Sequence, residues 1–137
     1  MTVAGNDLIG TRMDTKRAAA GQIVLIVDDE PLLRMTVADM LYEAGFWTVE
    51  ASDADQALRM LESRDDIRIV FLDIVMSHGM DGLELAGVVR ERWPHVNILL
   101  TSGKMYAAEH SLPDGAVFFH KPYRSRDVVP VLHRMAS

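Results

Sequence analysis

The feature that most constrains the fold is an apolar run that leads directly into a carboxylate. Residues 69–76 read Ile-Val-Phe-Leu-Asp-Ile-Val-Met, in which Asp73 is the one polar side chain. A run that is apolar on both faces is typical of a strand buried in a parallel sheet. Such a strand delivers its aspartate to the carboxyl end, where open α/β sheets bind ligands. On this run alone, Asp73 is equally well explained as a turn residue that ends the strand.

Composition limits the class of protein. The 137 residues are 49% hydrophobic and 25% charged, which suits one globular domain. No apolar stretch approaches the ~20 residues that span a bilayer, and the start of the chain lacks a signal-peptide core, so we expect a cytoplasmic protein without membrane contact. The absence of cysteine excludes disulfides and thiolate sites. The net charge of −6 argues against nucleic-acid partners.

Strands and helices alternate along most of the chain. Residues 1–21 have weak periodicity, and we expect a flexible leader there, followed by one domain over residues 22–137. The predicted strands cover residues 22–27, 46–51, 69–73, 96–101 and 117–121. Amphipathic helical patterns lie between them and after the last. This order predicts a doubly wound α/β domain with a parallel sheet and right-handed crossovers.

The crossover between the fourth and fifth predicted strands is irregular. It contains Gly103, Pro113 and Gly115, and it leaves room for about two helical turns near residues 105–112. Within a helix, Gly costs up to ~1 kcal/mol and Pro ~3 kcal/mol relative to Ala. We therefore expect a short or irregular fourth helix of low local stability.

Polar side chains follow four of the five predicted strands. They are Asp28 and Asp29 after the first strand, Asp73 after the third, Thr101 after the fourth and Lys121 after the fifth. Because parallel strands all end at one edge of the sheet, these side chains should lie together. Singly, each has a plainer explanation, such as helix capping by an aspartate. The other Lys and Arg are scattered, and we expect nearly all of them to be solvated surface charges.

The combination of three carboxylates, a hydroxyl and an ammonium indicates a chemistry. Clustered carboxylates repel each other, so either one is protonated or a cation lies among them. Oxygen ligands on a loop edge favour Mg²⁺, whose remaining positions would hold water or phosphoryl oxygens. Lys121 and Thr101 could contact further phosphoryl oxygens. The set suggests phosphoryl transfer onto a carboxylate, with Asp73 as the nucleophile.

Five short motifs carry a family resemblance. They are Val27–Glu30, Leu72–Met76, Met80–Leu85, Leu100–Ser102 and His120–Tyr123. Each is a weak signal alone, but all five occur in order, at the end of a predicted strand or in the loop after it. Together they resemble the receiver domain of bacterial two-component response regulators, in its single-domain, CheY-like form, from about Gln22 to Met135. The resemblance implies a flavodoxin-like fold with strand order 2-1-3-4-5.

The resemblance also implies roles for the acidic residues. Asp73 would accept the phosphoryl group from a histidine kinase or a histidine phosphotransfer protein. Asp29 and Asp73 would be direct Mg²⁺ ligands, with the backbone carbonyl of Val75 as a third. Asp28 would support the metal, usually through water.

Three more residues receive roles from the same resemblance. Thr101 would be the switch hydroxyl that moves toward the phosphoryl group, and Phe118 the switch aromatic. Lys121 would contact the phosphate, and its peptide bond to Pro122 is usually cis in the family. No other cofactor is implied.

The chain departs from the family pattern at two places. Ser77 stands where the family usually has proline, and the loop from Asp73 to Gly82 is one residue longer than the commonest form. The crossover after Thr101 is shorter, so the family's usual dimerisation mode cannot be assumed, although a homodimer stays open. We predict that this crossover is the element reordered by phosphorylation; the alternative is a fixed loop that does not respond.

The leading functional prediction is a phosphorylation-controlled signalling module that is not an enzyme. Between Lys121 and the end of the sequence there is room for one helix, so output through protein–protein contacts is expected. One alternative is a Mg²⁺-dependent aspartyl-phosphate hydrolase, but its nucleophile would follow the first strand in an Asp-x-Asp pattern, which Asp28-Asp29-Glu30 does not provide. The other is a docking module that needs no phosphorylation, against which the complete set of acids, Thr101 and Lys121 argues.

Overall fold

One parallel sheet organises the chain. The computed structural model describes residues 22–77, 79–103 and 112–137. Its strands are β1 (Ile23–Val27), β2 (Trp47–Ala51), β3 (Ile67–Asp73), β4 (Asn97–Ser102) and β5 (Val117–His120). Its described helices are α1 (Pro31–Glu43), α2 (Ala54–Ser63), α3 (Gly82–Arg92) and α4 (Ser125–Ala136). The strand order is β2-β1-β3-β4-β5 with all pairs parallel, so the predicted flavodoxin-like architecture is confirmed.

The central strand is longer than the sequence predicts. β3 begins at Ile67, two residues before the predicted start. The prediction started too late because the polar Arg68 interrupts the apolar run. The register against β1 shifts at this point: Ile23 pairs with Ile67, and Val24 pairs with Ile69. A bulge of this kind adds one residue to one strand of a pair. Here the extra residue is Arg68, and the pairing of β3 with β1 continues after it. Arg68 therefore faces solvent while Ile67 and Ile69 stay buried.

Both faces of the sheet are covered by helices, which explains the continuous apolar run in β3. Val70 and Leu72 pack with α2 and α3 on one face, whereas Ile69 and Phe71 pack with α1 and α4 on the other. The helices contribute Ala57, Leu61, Leu85 and Val89 to the first core, and Val37, Leu41, Val128 and Leu132 to the second. Full burial of each large side chain contributes roughly 1.5–3 kcal/mol. These two cores hold the strand ends in fixed relative positions.

The ends of the helices follow local sequence signals. Asp53 caps α2 by accepting a hydrogen bond from the Gln56 N–H at 2.8 Å. Asp81 and Glu84 form a reciprocal capping box at the start of α3. After α1, Gly45 adopts φ 96°, a conformation that glycine reaches at little cost. These capping residues therefore determine where the helices begin and end.

Two predictions fall on residues that the structure does not describe. The expected flexible leader, residues 1–21, lies wholly outside the described residues, and the expected short helix near residues 105–112 lies almost entirely outside them. Among the helices that are described, none combines the length and the apolar character needed to cross a membrane.

Candidate functional site

The end of β1 holds a buried carboxylate in a fixed position. The Asp28 N–H donates to the Ala51 carbonyl at 3.2 Å, and the Asp28 Oδ1 accepts the Glu30 N–H at 2.9 Å. The side chain of Arg34 adds a third restraint, since its Nη1 donates to the Asp28 carbonyl at 2.6 Å. Its Nε donates to Glu50 at 3.1 Å. Asp28 is 5% exposed and points its carboxylate toward the edge of the sheet rather than capping α1 at the helix N-cap position.

Asp29 is partly exposed and is held from a different loop. Its Oδ2 accepts the backbone N–H of Ser77 at 2.7 Å and also the Ser77 hydroxyl. These bonds join the loop after β1 to the loop after β3, across 48 positions of sequence.

Asp73 ends β3 opposite Thr101, its register partner on β4. The next residue, Ile74, is held through both of its backbone polar groups: its N–H donates to the Thr101 carbonyl at 2.9 Å, and its carbonyl accepts the Gly82 N–H at 2.8 Å. A Cβ at Gly82 would lie 2.3 Å from the Asp73 carbonyl oxygen and 2.5 Å from the Ile74 Cα. Because those neighbours are backbone atoms, only glycine allows α3 to begin so close to Asp73.

Lys121 reaches the acids from the end of β5. Its N–H donates to the Ser102 carbonyl at 2.8 Å, which extends the pairing of β4 with β5 by one residue. The Nζ atom lies 3.5 Å from the Asp73 Oδ1 and 3.8 Å from the Asp28 Oδ2. The Lys121–Pro122 peptide bond is cis, as the family resemblance implies. Thr101 is 1% exposed and also lines the cavity beside these groups.

The three aspartates form a cluster that fits a hard cation. One carboxylate oxygen from each of Asp28, Asp29 and Asp73 lies within 4.8 Å of the other two. Carboxylate oxygens are the ligands that Mg²⁺ prefers, and a site with few protein ligands leaves positions for water and substrate oxygens. The residues present therefore suit a divalent cation.

The pKa values of the two buried acids show the same need for positive charge. Burial raises the pKa of Asp73, and the charge of Asp28 raises it further, although Lys121 and the Val75 backbone oppose the shift. Burial likewise raises the pKa of Asp28, against the Glu30 N–H and Lys121. Among the described residues, Lys121 and Arg34 only partly offset the effect of burial, and a cation would supply further positive charge.

A small cavity of about 50 Å³ extends from the acids toward α1. Its polar lining includes Asp28, Asp73, Thr101 and Lys121, and its apolar and aromatic lining includes Leu33, Val37, Phe71 and Tyr123. Burial, followed by the charges of Asp28 and Asp73, raises the pKa of Tyr123 to about 12, so its phenol is neutral there. The sequence reasoning assigned Tyr123 no role, even though it ends one of the five motifs.

The two remaining predicted residues differ in their distance from the acids. Val75 is exposed in the loop after β3, and its backbone is close enough to bond the Asp73 carboxylate. Phe118 pairs with Leu100 and packs into the core on the α2–α3 face, and it is not among the residues that line the cavity. Phe119 instead packs near Tyr123, with ring centroids 6.5 Å apart.

Comparison with known protein families gives one clear match. The model of the response regulator receiver domain matches residues 24–133, which is most of the chain. The match begins in β1 and ends in α4, and it therefore includes Asp28, Asp73, Thr101 and Lys121.

Curated relatives and solved structures agree with this match. The chain is 34% identical over 116 residues to the response regulator protein FleR of Pseudomonas aeruginosa, covering 82% of this chain and 24% of that protein. It is 34% identical to the nitrogen assimilation regulatory protein NtrX of Azorhizobium caulinodans, covering 81% of this chain and 25% of that protein. The chain thus spans about a quarter of the length of these relatives.

Among solved structures, a response regulator receiver protein from Sinorhizobium medicae superposes with a TM-score of 0.77 at 29% identity, covering 85% of this chain and 94% of that one. The receiver domain of NtrX from Brucella abortus superposes with a TM-score of 0.75 at 33% identity, covering 82% and 97%.

Proposed function

The chain belongs to the response regulator receiver domain family of two-component signalling, and from this premise we propose that Asp73 is its phosphoacceptor. The donor would be the phosphohistidine of a histidine kinase or of a histidine phosphotransfer protein. The observation that carries the proposal is the placement of Asp73: 8% exposed, at the end of the central strand, with Lys121 at 3.5 Å and two further carboxylates beside it.

The transfer step follows from this placement. An oxygen of Asp73 forms a bond to phosphorus while the phosphorus–nitrogen bond of the donor breaks, and the electron pair returns to the imidazole. Asp29 and Asp73, with the carbonyl of Val75, would hold Mg²⁺ directly, and Asp28 would hold it through water. The bound ion would neutralise charge on the phosphoryl oxygens.

Lys121 and Thr101 would act on the phosphoryl group from the neighbouring strands. The Lys121 ammonium pairs with Asp73 before transfer, and it can pair with a phosphoryl oxygen afterwards. Thr101 is buried opposite Asp73 and offers one hydroxyl donor. Phe118 stays a predicted switch aromatic.

We propose that the domain, over residues 22–137, signals through protein contacts and does not turn over a substrate. The beginning of α1 supplies an apolar surface beside the acids, where Leu32 is 68% exposed and Met35 is 58% exposed. A donor that presents its phosphohistidine to Asp73 would cover this surface.

Phosphorylation by acetyl phosphate tests the proposal. We expect one phosphoryl group per chain by intact mass with Mg²⁺, and no labelling in excess chelator. Asp73→Asn should remain folded and unlabelled, while Asp66→Asn, at the other end of β3, should label normally. Labelling of Asp28 instead would favour the hydrolase alternative. Partner binding by an unlabelled wild-type chain would favour the docking module.

A further inference from the structure

The carboxylate of Asp29 differs from the other two acids in how it is held. Asp28 and Asp73 are buried at strand ends, whereas Asp29 is partly exposed in the loop that follows β1. Three clustered carboxylates repel each other, and a partly exposed side chain can relieve that repulsion by turning toward solvent. Something must therefore keep Asp29 near its neighbours before a cation arrives.

Ser77 supplies this restraint. Its backbone N–H donates to the Asp29 Oδ2 at 2.7 Å, and its hydroxyl donates to the same oxygen. Two donors from one residue hold this carboxylate oxygen beside the loop that follows β3. With these bonds formed, one Asp29 oxygen lies within 4.8 Å of oxygens from Asp28 and Asp73. The hydrogen bonds and the three-carboxylate cluster thus exist together, so Ser77 is not holding Asp29 away from the cluster.

We propose that Ser77 is a positioning residue of the cation site, which holds the Asp29 carboxylate in the orientation that a divalent cation requires. This inference rests on the proposed function, in which Asp29 is a direct ligand. Groups that hydrogen-bond to metal ligands set ligand orientation and affect affinity although they do not touch the metal. Proline, which the resembled family usually has at this position, offers neither the N–H nor the hydroxyl. This chain therefore fixes Asp29 by donors that such a proline would lack.

The test is a Mg²⁺ titration of the whole chain, in which binding is measured from the chemical shifts of the backbone amides. Ser77→Ala removes the hydroxyl donor and keeps the N–H, and we expect Mg²⁺ to bind about 10-fold more weakly. Ser77→Thr restores a hydroxyl and should bind nearly as tightly as wild type. Ser63→Ala is the matched control, because the exposed Ser63 hydroxyl donates to the Met60 carbonyl at the end of α2 and contacts none of the three aspartates. It should bind Mg²⁺ as wild type does.

Melting temperatures in chelator separate positioning from stability. We expect the three serine variants to melt within a narrow range, so that the affinity loss in Ser77→Ala is not a folding defect. Unchanged or tighter Mg²⁺ binding in Ser77→Ala would overturn the proposal, as would a Ser77→Thr variant as weak as Ser77→Ala. Asp29→Asn distinguishes the ligand role of Asp29 from the positioning role of Ser77. If wild type does not bind Mg²⁺, or Asp29→Asn binds as wild type does, the proposed ligand role of Asp29 fails, and the role of Ser77 fails with it.

Discussion

The two ends of β3 carry the same kinds of charged residue in opposite arrangements. Just before the strand, Arg64 and Asp66 form a bidentate pair at 2.9 Å through both carboxylate oxygens, and both are exposed. At the other end, Asp73 is buried, and Lys121 approaches only to 3.5 Å. Arg64 lowers the pKa of Asp66, whereas burial raises the pKa of Asp73.

This difference shows which charges are arranged for stability and which are not. The exposed pair is local in sequence, well hydrated and complete in itself. The buried cluster gathers side chains from the carboxyl ends of β1, β3 and β5, and among the described residues Lys121 is the one lysine within 4 Å of its two buried acids. Burial of ionised groups without full compensation is unfavourable. We therefore infer that the cluster lowers the stability of the fold. A cation and a phosphoryl group are the ligands that it would bind.

Removal of Lys121 should have the largest effect. In Lys121→Ala the acids lose their nearby ammonium, and the phosphoryl group loses one contact. Loss of one electrostatic contact to a transferring group typically costs about 10²-fold in rate, and we expect that decrease in labelling by acetyl phosphate. Arg64→Ala makes the same kind of change at the other end of β3 and should leave the rate unaltered. Equal rates in the two variants would contradict the comparison.

The two glycines of α3 sharpen the comparison through backbone packing. Gly82→Ala pushes a Cβ into the backbone at Asp73, and overpacking of this kind costs roughly 1–3 kcal/mol. Gly87→Ala adds the same atom in the same helix, where nothing lies within 4 Å. Alanine in a helix interior is favoured over glycine by roughly 0.5–1 kcal/mol. Urea denaturation should therefore show opposite signs for the two variants; two stabilising substitutions would be evidence against a tight approach of α3 to Asp73.

The exposed pair should matter least. Exposed ion pairs are worth about 0–1 kcal/mol, so Arg64→Ala and Asp66→Asn should each lower the free energy of unfolding by no more than that. A double-mutant cycle measures the pair directly. Added salt should reduce its contribution further. A coupling energy well above about 1 kcal/mol would contradict the description of Arg64 and Asp66 as an ordinary exposed ion pair.

The sequence predicted the sheet well because its signal is carried by whole strands. Five apolar runs with polar residues at their ends predict a parallel sheet with right-handed crossovers, and the family resemblance supplied the strand order. Asp73 and Thr101 were predicted to share one edge of the sheet, and they are register partners there. Sequence separation hides contacts made by loops. The bond from Ser77 to Asp29 depends on the shape of a loop that is one residue longer than usual, and no local pattern encodes it.

Arginine was the residue type that sequence reasoning treated least well. Nearly all Lys and Arg were predicted to be solvated, but the Arg34 side chain is 17% exposed and bonds the Asp28 carbonyl. Arg90 donates to the carbonyls of Pro94, Val96 and Asp114 at 2.8–3.1 Å. It thereby ties the described end of the irregular crossover to α3. Guanidinium groups that bond backbone carbonyls leave no periodic signal, since their partners are not side chains. Rearrangement of that crossover stays a prediction.

The pH dependence of stability follows from the sign of each pKa shift. Because the folded-state pKa of Asp73 is raised, this residue contributes stability below its unfolded pKa, and the contribution is lost as pH rises through the folded pKa. Asp66 has the opposite sign: its contribution is present above the unfolded pKa and is lost as pH falls through the folded pKa. Above its folded-state pKa, therefore, ionised Asp73 weakens the fold.

The most direct test of this account is the free energy of unfolding of wild type and Asp73→Asn in chelator, from about pH 8 to about pH 4. We expect Asp73→Asn to be more stable than wild type by roughly 1–2 kcal/mol at the alkaline end. The difference should shrink as pH falls through the folded-state pKa of Asp73, and Mg²⁺ at neutral pH should stabilise wild type more than the variant. An Asp73→Asn protein that is less stable than wild type at about pH 8, or a difference that grows on acidification, would contradict the claim that the fold holds this carboxylate at a cost.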